Sequence, residues 1–171
     1  KGCWAIAFGI ESGDEGILKT IKKDISLDRA RDVIHWCRAL GIKTKGFFII
    51  GHPTESIETI NKTIALACEL ELDDVLVTFN TPIPGSQQYA EVDKYGILYK
   101  TDWSQFNCWY PVFVPFGLTQ EILFQKHREF YRRFYLRPRM IWRYFLSFFG
   151  KGGFHRLLSI LKASRYIIFK E

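Results

Sequence analysis

The sequence predicts an α/β fold made of three parallel strand–helix units, followed by a basic helical tail. Three short apolar runs, 3–8, 43–50 and 73–80, alternate with stretches whose apolar residues recur at helical spacing. The connections between these runs are long enough for the crossover helices that parallel strands require. Hydrophobic residues make up 47% and charged residues 25% of the 171 residues, which is typical of a globular protein. Three units are too few to close an eight-stranded barrel, so we expect an open half-barrel or a small open sheet.

The first unit begins with an uninterrupted apolar run. Residues 3–8 are apolar throughout, which predicts a strand buried on both faces. A turn and a helix over 14–23 are expected to follow. Ser26 is the predicted N-cap of a second helix over 27–40, and Gly41 is predicted to end it in a left-handed conformation.

The second and third units repeat this order. Residues 43–50 predict the second strand, and Ser56 is expected to cap a helix that ends near Glu71. Residues 73–80 predict the third strand, and a short helix is expected over 86–95. These elements complete the three units.

The remaining chain differs in composition. Residues 1–118 have 12 basic and 15 acidic residues, whereas residues 119–171 have 12 basic and 3 acidic residues, a net charge of +9. The predicted domains are 1–98 (the strand–helix units), 99–118 (an irregular segment pinned by aromatics) and 119–171 (the basic, aromatic-rich tail). The predicted helices of the tail cover 120–136, capped by Thr119, then 138–149 and 154–165.

Polar chemistry follows the first predicted strand. Ligands of parallel α/β folds bind where the strands end, and here the strand ends in Gly9-Ile10-Glu11-Ser12-Gly13. Glu11 and Ser12 offer an acceptor and a hydroxyl to a ribose or an amino group. The alternative is a tight turn in which Ser12 caps the next helix.

The second strand ends in a loop that could hold a planar base. Gly46 and Gly51 flank four apolar residues, which predicts an apolar floor, with the backbone of Ile50 and Gly51 pairing to the edge of the base. The alternative is a buried strand and a Gly–Pro turn, and for His52 a turn role is preferred. The turns around Glu11 and Gly51 are expected to meet at one edge of the sheet. The turn after the third strand is interpreted as structural.

The cysteines give no local metal motif. They lie at positions 3, 37, 68 and 108, without the close pairs that zinc knuckles and iron–sulfur loops need. Cys37 and Cys68 fall on apolar helix faces and are expected to be buried. Without a disulfide framework, the sequence favours a reducing, cytoplasmic compartment.

Taken together, the three strand-end motifs resemble one family. The runs G-I-E-S-G, G-F-F-I-I-G-H-P-T-E-S and T-P-I-P-G-S-x-x-Y resemble the radical S-adenosylmethionine superfamily. The branch they look most like carries a cobalamin-binding domain and includes the anaerobic magnesium-protoporphyrin IX monomethyl ester cyclase. The stretches D-W-S-x-F and F-Y-L-R-P-R-M-I are also similar to this branch. The resemblance covers about residues 2–110 and implies the C-terminal half of an open, partial TIM-type barrel.

The resemblance implies a set of residues that bind S-adenosylmethionine. These are Gly9, Glu11, Ser12, Lys23, Phe48, Ile49, Ile50 and Gly51. Glu11 and Ser12 would face the ribose and methionine part, Lys23 would pair with the methionine carboxylate, and the later residues would border the adenine. Two positions depart from the family pattern: Phe48 stands where the pattern has isoleucine, and Thr54 replaces a glycine.

The resemblance also implies cofactors that this chain does not hold alone. The superfamily carries a [4Fe–4S] cluster on a C-x-x-x-C-x-x-C motif, and the sequence contains no such motif. The implied chemistry is one-electron reduction of S-adenosylmethionine, followed by hydrogen abstraction or by methyl transfer through cobalamin. With no initiator methionine and no signal peptide, the chain is expected to be the C-terminal piece of a longer enzyme, inactive without the N-terminal half. The alternative is a non-catalytic α/β binding module.

Three interpretations of the basic tail remain open. Its aromatics could cap the open barrel. It could instead dock to an acidic domain of the same parent, or to an anionic, lipid-like or tetrapyrrole substrate. Basic residues with interleaved aromatics also suit an anionic membrane or a nucleic acid. Nucleic acid is disfavoured because the sequence has no RNA-binding signature.

Overall fold

The first compact feature is an open sheet of three parallel strands. A computed structural model describes residues 2–99 and 102–148. Strands β1 (Ala5–Glu11), β2 (Lys43–Ile50) and β3 (Asp74–Phe79) pair in the order β1-β2-β3. Both pairings are parallel, and β2 has the predicted bounds. The predicted α/β class with three parallel strands in one sheet is therefore confirmed.

Three helices fill the crossovers between these strands. They are α1 (Glu15–Thr20), α2 (Leu27–Ala39) and α3 (Ile57–Glu69). Ser26 and Ser56 cap α2 and α3 as predicted, each accepting a hydrogen bond from a backbone N–H three residues later. The cap of α1 is Asp14, which accepts from the N–H of Ile17, so the alternative in which Ser12 caps this helix is wrong. Gly41 has a φ of +70° directly after α2, as predicted.

The two faces of the sheet differ in burial. Right-handed crossovers along an unreversed strand order place the helices on one face. The side chains of that covered face are buried in β2 and β3, as Phe48 and Val77 illustrate. The other side, here called the open face, is formed by residues that are not buried: Ala5, Ala7, Gly9, Lys45, Phe47, Ile49, Asp74, Leu76 and Thr78.

The predicted burial of residues 3–8 on both faces is therefore wrong. Ala5 and Ala7 are exposed, and Trp4, just before the strand, is 72% exposed. The run is apolar because one side packs towards the helices, while the other belongs to the open face. An apolar composition does not reveal whether both sides are covered.

A second sheet interrupts the segment predicted to be irregular. Strand β4 (Gly96–Leu98) pairs antiparallel with β5 (Phe113–Pro115). A short helix was predicted over 86–95, and strand β4 begins at Gly96, directly after that range. A short helix α4 (Gln87–Ala90) and a 3-10 turn occupy most of that range. The pairing joins positions about seventeen residues apart in sequence, which local patterns do not encode.

Two further helices follow. Helix α5 spans Gln120–Tyr135, and Thr119 caps it by accepting from the N–H of Ile122, as predicted; α6 spans Pro138–Phe148. The chain divides into two compact units between His127 and Arg128. Across the described ranges, each helix is too short or too polar to span a bilayer. The predicted helix over 154–165 lies outside the described residues, and the predicted domain boundaries at 98 and 118 remain predictions.

Candidate functional site

The turns after β1 and β2 lie at the same edge of the sheet. The two strands are parallel neighbours, and Glu11 at the end of β1 is paired in register with Phe48 of β2. A bulge between Gly9 and Glu11 interrupts this register. The predicted convergence of the turns around Glu11 and Gly51 is confirmed, because parallel strands end on the same side.

The backbone at this edge is strained. Glu11 and Thr54 have positive φ angles of 67° and 65°, and Gly51 has a φ of 85°. A positive φ is uncommon for residues other than glycine and costs on the order of 1–3 kcal/mol. Thr54 is the residue that stands where the related pattern has glycine, so its conformation explains why glycine occurs there.

Thr54→Gly is expected to stabilise the chain by about 0.5–1 kcal/mol. The side chain of Thr54 is exposed, so its loss removes little packing. The gain is the relief of about 1–2 kcal/mol of left-handed strain, reduced by the backbone entropy of glycine. Urea unfolding followed by tryptophan fluorescence measures it. Thr54→Ala keeps the strain and should give no gain; equal stability of all three proteins would contradict the expectation.

A charged pair lies over a residue without a side chain. Lys23 Nζ is 3.2 Å from Glu11 Oε1, and the Lys23 side chain is 36% exposed. A Cβ atom at Gly9 would lie 2.6 Å from that Glu11 oxygen and 3.3 Å from Lys23 Nζ. Because glycine has no side chain, the ion pair can lie directly over this position at the edge of the open face.

Ser12 and Gly13 connect the first turn to helix α3 through hydrogen bonds. Ser12 is fully buried, and its Oγ lies 3.2 Å from Thr63 Oγ1. The N–H of Gly13 donates to the same Thr63 oxygen at 2.9 Å, and that of Asp14 donates to Ser12 Oγ at 3.2 Å. In this arrangement the Ser12 hydroxyl positions the turn and does not reach the open face.

A buried carboxyl group organises the second turn. Glu55 Oε2 accepts hydrogen bonds from the backbone N–H groups of Gly51 and His52. Asn80, directly after β3, donates its side-chain N–H to the Gly51 carbonyl at 3.2 Å. These contacts close the loop after β2 and tie it to β3. Neither Glu55 nor Asn80 was predicted to have a role, although Glu55 belongs to the run G-F-F-I-I-G-H-P-T-E-S that resembles the family.

The same loop carries two buried polar atoms without partners among the described residues. They are Glu55 Oε1 and His52 Nε2. Loss of hydration raises the pKa of the Glu55 carboxyl to about 8 and lowers the pKa of His52 to about 4. Both side chains are therefore neutral near pH 7. His52 lies in the turn, and its imidazole is buried.

The predicted floor for a planar base is divided between the two faces of β2. Phe48 and Ile50 are fully buried on the covered face, whereas Phe47 and Ile49 lie on the open face. Successive side chains of a strand point to opposite faces of the sheet, so the four apolar residues 47–50 cannot all line one face. The Gly51 N–H already donates to Glu55, and the Ile50 carbonyl accepts from the Asn80 N–H at 2.8 Å.

The described residues do not fit an iron–sulfur cluster. Within them, no group of three or more His, Cys, Asp or Glu side chains is placed to hold a metal ion. Cys3 is exposed and Cys108 is half-buried. Cys37 is buried as predicted, whereas Cys68 is only half-buried, so its predicted burial is wrong. These four cysteines are therefore not placed to share a cluster in the part of the chain that the structure describes.

The part of the chain that forms this edge of the sheet is similar to a known protein family. The sequence profile of the Radical SAM superfamily matches residues 1–67. Those residues include β1, β2 and both turns of the candidate site.

Several curated proteins are similar over a longer stretch. An uncharacterized methyltransferase of Pyrococcus horikoshii is 32% identical over 82% of this chain and 30% of its own length. An anaerobic magnesium-protoporphyrin IX monomethyl ester cyclase of Cereibacter sphaeroides is 28% identical over 92% of this chain and 25% of its own length. A cytidylyl-2-hydroxyethylphosphonate methyltransferase of Streptomyces wedmorensis is 35% identical over 57% of this chain and 20% of its own length. The chain thus spans less than a third of these relatives.

Proposed function

Because this chain belongs to the radical SAM superfamily, we propose that the strand-end edge around Glu11 and Gly51 binds the adenosine and methionine parts of S-adenosylmethionine. The observation that carries the proposal is the Glu11–Lys23 pair held over Gly9. The methionine part of the ligand has one carboxylate and one amino group. Lys23 complements the first charge and Glu11 the second, so the ligand replaces a contact that the two side chains make with each other.

The open face supplies the apolar surface for the adenine. Ile49 and Phe47 lie on that face just before the turn at Gly51. A planar base is stabilised by such contacts and by the area that it removes from water. Glu55 and Asn80 act as positioning residues that fix the Gly51 backbone, and Ser12 does the same for the first turn. Phe48 and Ile50 support this surface from behind.

The residues present fit S-adenosylmethionine and do not fit the cluster. When bound, the cofactor and a cluster together supply one-electron chemistry; this chain's part is to bind, to orient and to keep water away. We therefore assign activity to the full-length protein and none to this chain alone. A partial barrel is part of the same proposal: further parallel strands from the remainder of that protein would pair with the edge strand β1, and the open face would line the interior.

The reaction that we propose for the full-length protein is of the oxidative cyclase type. The similarity to the cyclase of Cereibacter sphaeroides extends over 92% of this chain. A methyltransferase is the second candidate, supported by the 32% identity to the relative of Pyrococcus horikoshii. The two differ in product, since only the methyltransferase leaves a methyl group on the substrate.

Lys23→Ala in the full-length protein is expected to raise the KM for S-adenosylmethionine about tenfold or more. Loss of a charge-assisted hydrogen bond costs on the order of 1.5–3 kcal/mol, and about 1.4 kcal/mol corresponds to a factor of ten. The protein would be reconstituted with iron and sulfide, reduced with dithionite, and assayed for 5′-deoxyadenosine and methionine. Gly9→Ala is expected to weaken binding as well, because its methyl group displaces the Glu11 carboxylate.

Lys45→Ala is the matched control. Lys45 is 37% exposed and pairs with Asp74 at 2.8 Å, much as Lys23 pairs with Glu11, but it lies nearer the start of β2. Its substitution should leave the KM unchanged. Equal KM values for the Lys23→Ala and Lys45→Ala proteins would refute the assigned methionine contact. Reconstituted wild-type protein that forms neither product would refute the enzyme assignment.

A further inference from the structure

Helix α6 presents a large apolar face to solvent. Four side chains from two successive turns of the helix form this face, here called the α6 face. They are Ile141 (53% exposed), Trp142 (61%), Phe145 (49%) and Leu146 (52%). Positions i, i+1, i+4 and i+5 share one side of a helix and span about 140° of its circumference. The rings of Trp142 and Phe145 are stacked, with centroids 5.7 Å apart.

The α6 face is distinct from the side of the helix that packs. Met140, which the helical repeat places roughly opposite Trp142, is fully buried. The helix thus has a buried side at Met140 and an exposed side at the α6 face. An amphipathic helix that packs through its apolar side would expose polar residues here instead.

Arginine side chains flank the α6 face. Arg139 and Arg143 lie four residues apart, next to Leu146 on the helix surface, and Arg139 is exposed. Residues 128–148 contain six arginines and one glutamate, so this part of the chain is strongly basic. Arginine can lay its apolar stem along such a surface while its charged head reaches an anionic group.

We propose that α6 docks onto the surface of a membrane that contains anionic lipids. The α6 face enters the boundary between headgroups and acyl chains, and Arg139 and Arg143 contact lipid phosphates. Eleven residues make a helix of about 16 Å, which lies in the interface and does not cross the bilayer. Tryptophan is favoured at that depth because its ring is apolar and its N–H is polar.

A lipid surface fits the α6 face better than a nucleic acid does. Ile141 and Leu146, which form half of the face, have no ring on which a base could stack. A nucleic acid would be bound mainly through its phosphates, which leaves four large apolar side chains in water. A bilayer interface accepts both the apolar face and the flanking cations.

The test uses the full-length protein and vesicles of two compositions. Co-sedimentation should show binding to vesicles of phosphatidylcholine with about one-third phosphatidylglycerol, and at least about tenfold weaker binding to phosphatidylcholine alone. Added salt should weaken the binding. Lipids brominated on the acyl chains should quench tryptophan fluorescence in the wild-type protein. The quenching should be largely lost in Trp142→Ser.

Two variants distinguish binding through the α6 face from non-specific adsorption to the vesicles. The double variant Trp142→Ser, Phe145→Ser should reduce the vesicle partition coefficient about tenfold or more. Trp109→Ser is the matched control, because Trp109 is 51% exposed in the other compact unit, and it should bind like the wild type. Both proteins should give the wild-type far-ultraviolet circular dichroism spectrum, since the replaced side chains are exposed.

Several results would overturn the proposal. One is undiminished vesicle binding by the double variant. Another is equal binding to both vesicle compositions, or to neither. Tight binding of single-stranded RNA that Arg139→Glu, Arg143→Glu abolishes, without vesicle binding, would assign the surface to a nucleic acid. None of these readouts depends on turnover, so they stand apart from a failure of the proposed enzymatic function.

Discussion

Gly13→Ala is expected to lower the free energy of unfolding by about 1–3 kcal/mol, the cost of forcing a methyl group into a packed contact. A Cβ atom at this position would lie 2.7 Å from the Lys62 carbonyl oxygen and 2.7 Å from Thr63 Cα. These are backbone atoms of α3 and cannot rotate aside. The displaced turn would also lose the Gly13–Thr63 hydrogen bond, worth about 1 kcal/mol.

The measurement is urea unfolding followed by tryptophan fluorescence. Gly16→Ala is the matched control, because Gly16 lies only three residues away, in α1, and its Cβ would approach only the Asp14 carboxylate oxygen, at 3.0 Å. Alanine favours a helix over glycine by about 1 kcal/mol, so this control should be neutral or stabilised. Wild-type stability of Gly13→Ala would mean that the first turn does not need its close approach to α3.

The stability of the wild-type protein is expected to fall between pH 6.5 and 8 because of Glu55. Its pKa is about 8 in the folded protein and 4.5 when unfolded, so in that range the unfolded chain releases a proton that the folded chain retains. His52 acts in the opposite direction. Its pKa is 6.5 in the unfolded chain and about 4 in the folded protein, so its effect is to increase the stability as the pH rises from about 4 to 6.5. The two oppose each other from about pH 4.5 to 6.5.

Above pH 6.5, of these two groups only Glu55 changes the free energy of unfolding with pH. The expected loss up to pH 8 is about 2 kcal/mol, at about 1.4 kcal/mol for each pH unit. Glu55→Gln keeps an oxygen acceptor for the Gly51 and His52 N–H groups but cannot ionise, so its stability should change little over the same range. Glu58→Gln is the control, because Glu58 is exposed, and it should keep the wild-type slope. A Glu55→Gln protein with an unchanged slope would show that another group titrates.

The local patterns in the sequence were sufficient for helices α2 and α3 and for the central strand. Ser26 and Ser56 were identifiable as caps, and Gly41 as a helix end, because each acts on residues within four positions of itself. Strand β2 was predicted with its observed end because Gly51 directly follows a continuous β-forming run. The predicted order of strands and helices fixed the parallel pairing and placed both turns at one edge.

What the sequence determined by itself was therefore the local structure and the edge where Glu11 and Gly51 meet. The tertiary structure decided which face of β1 stays open, because covering a face depends on helices distant in sequence. It also decided that Ser12 is buried against Thr63 and that the Glu55 carboxyl is buried. Both depend on how closely α3 approaches the turn after β1 and how closely β3 approaches the loop after β2. The burial of Ser12 and the pKa of Glu55 are set by neighbours that only folding brings together, so no local pattern could have predicted them.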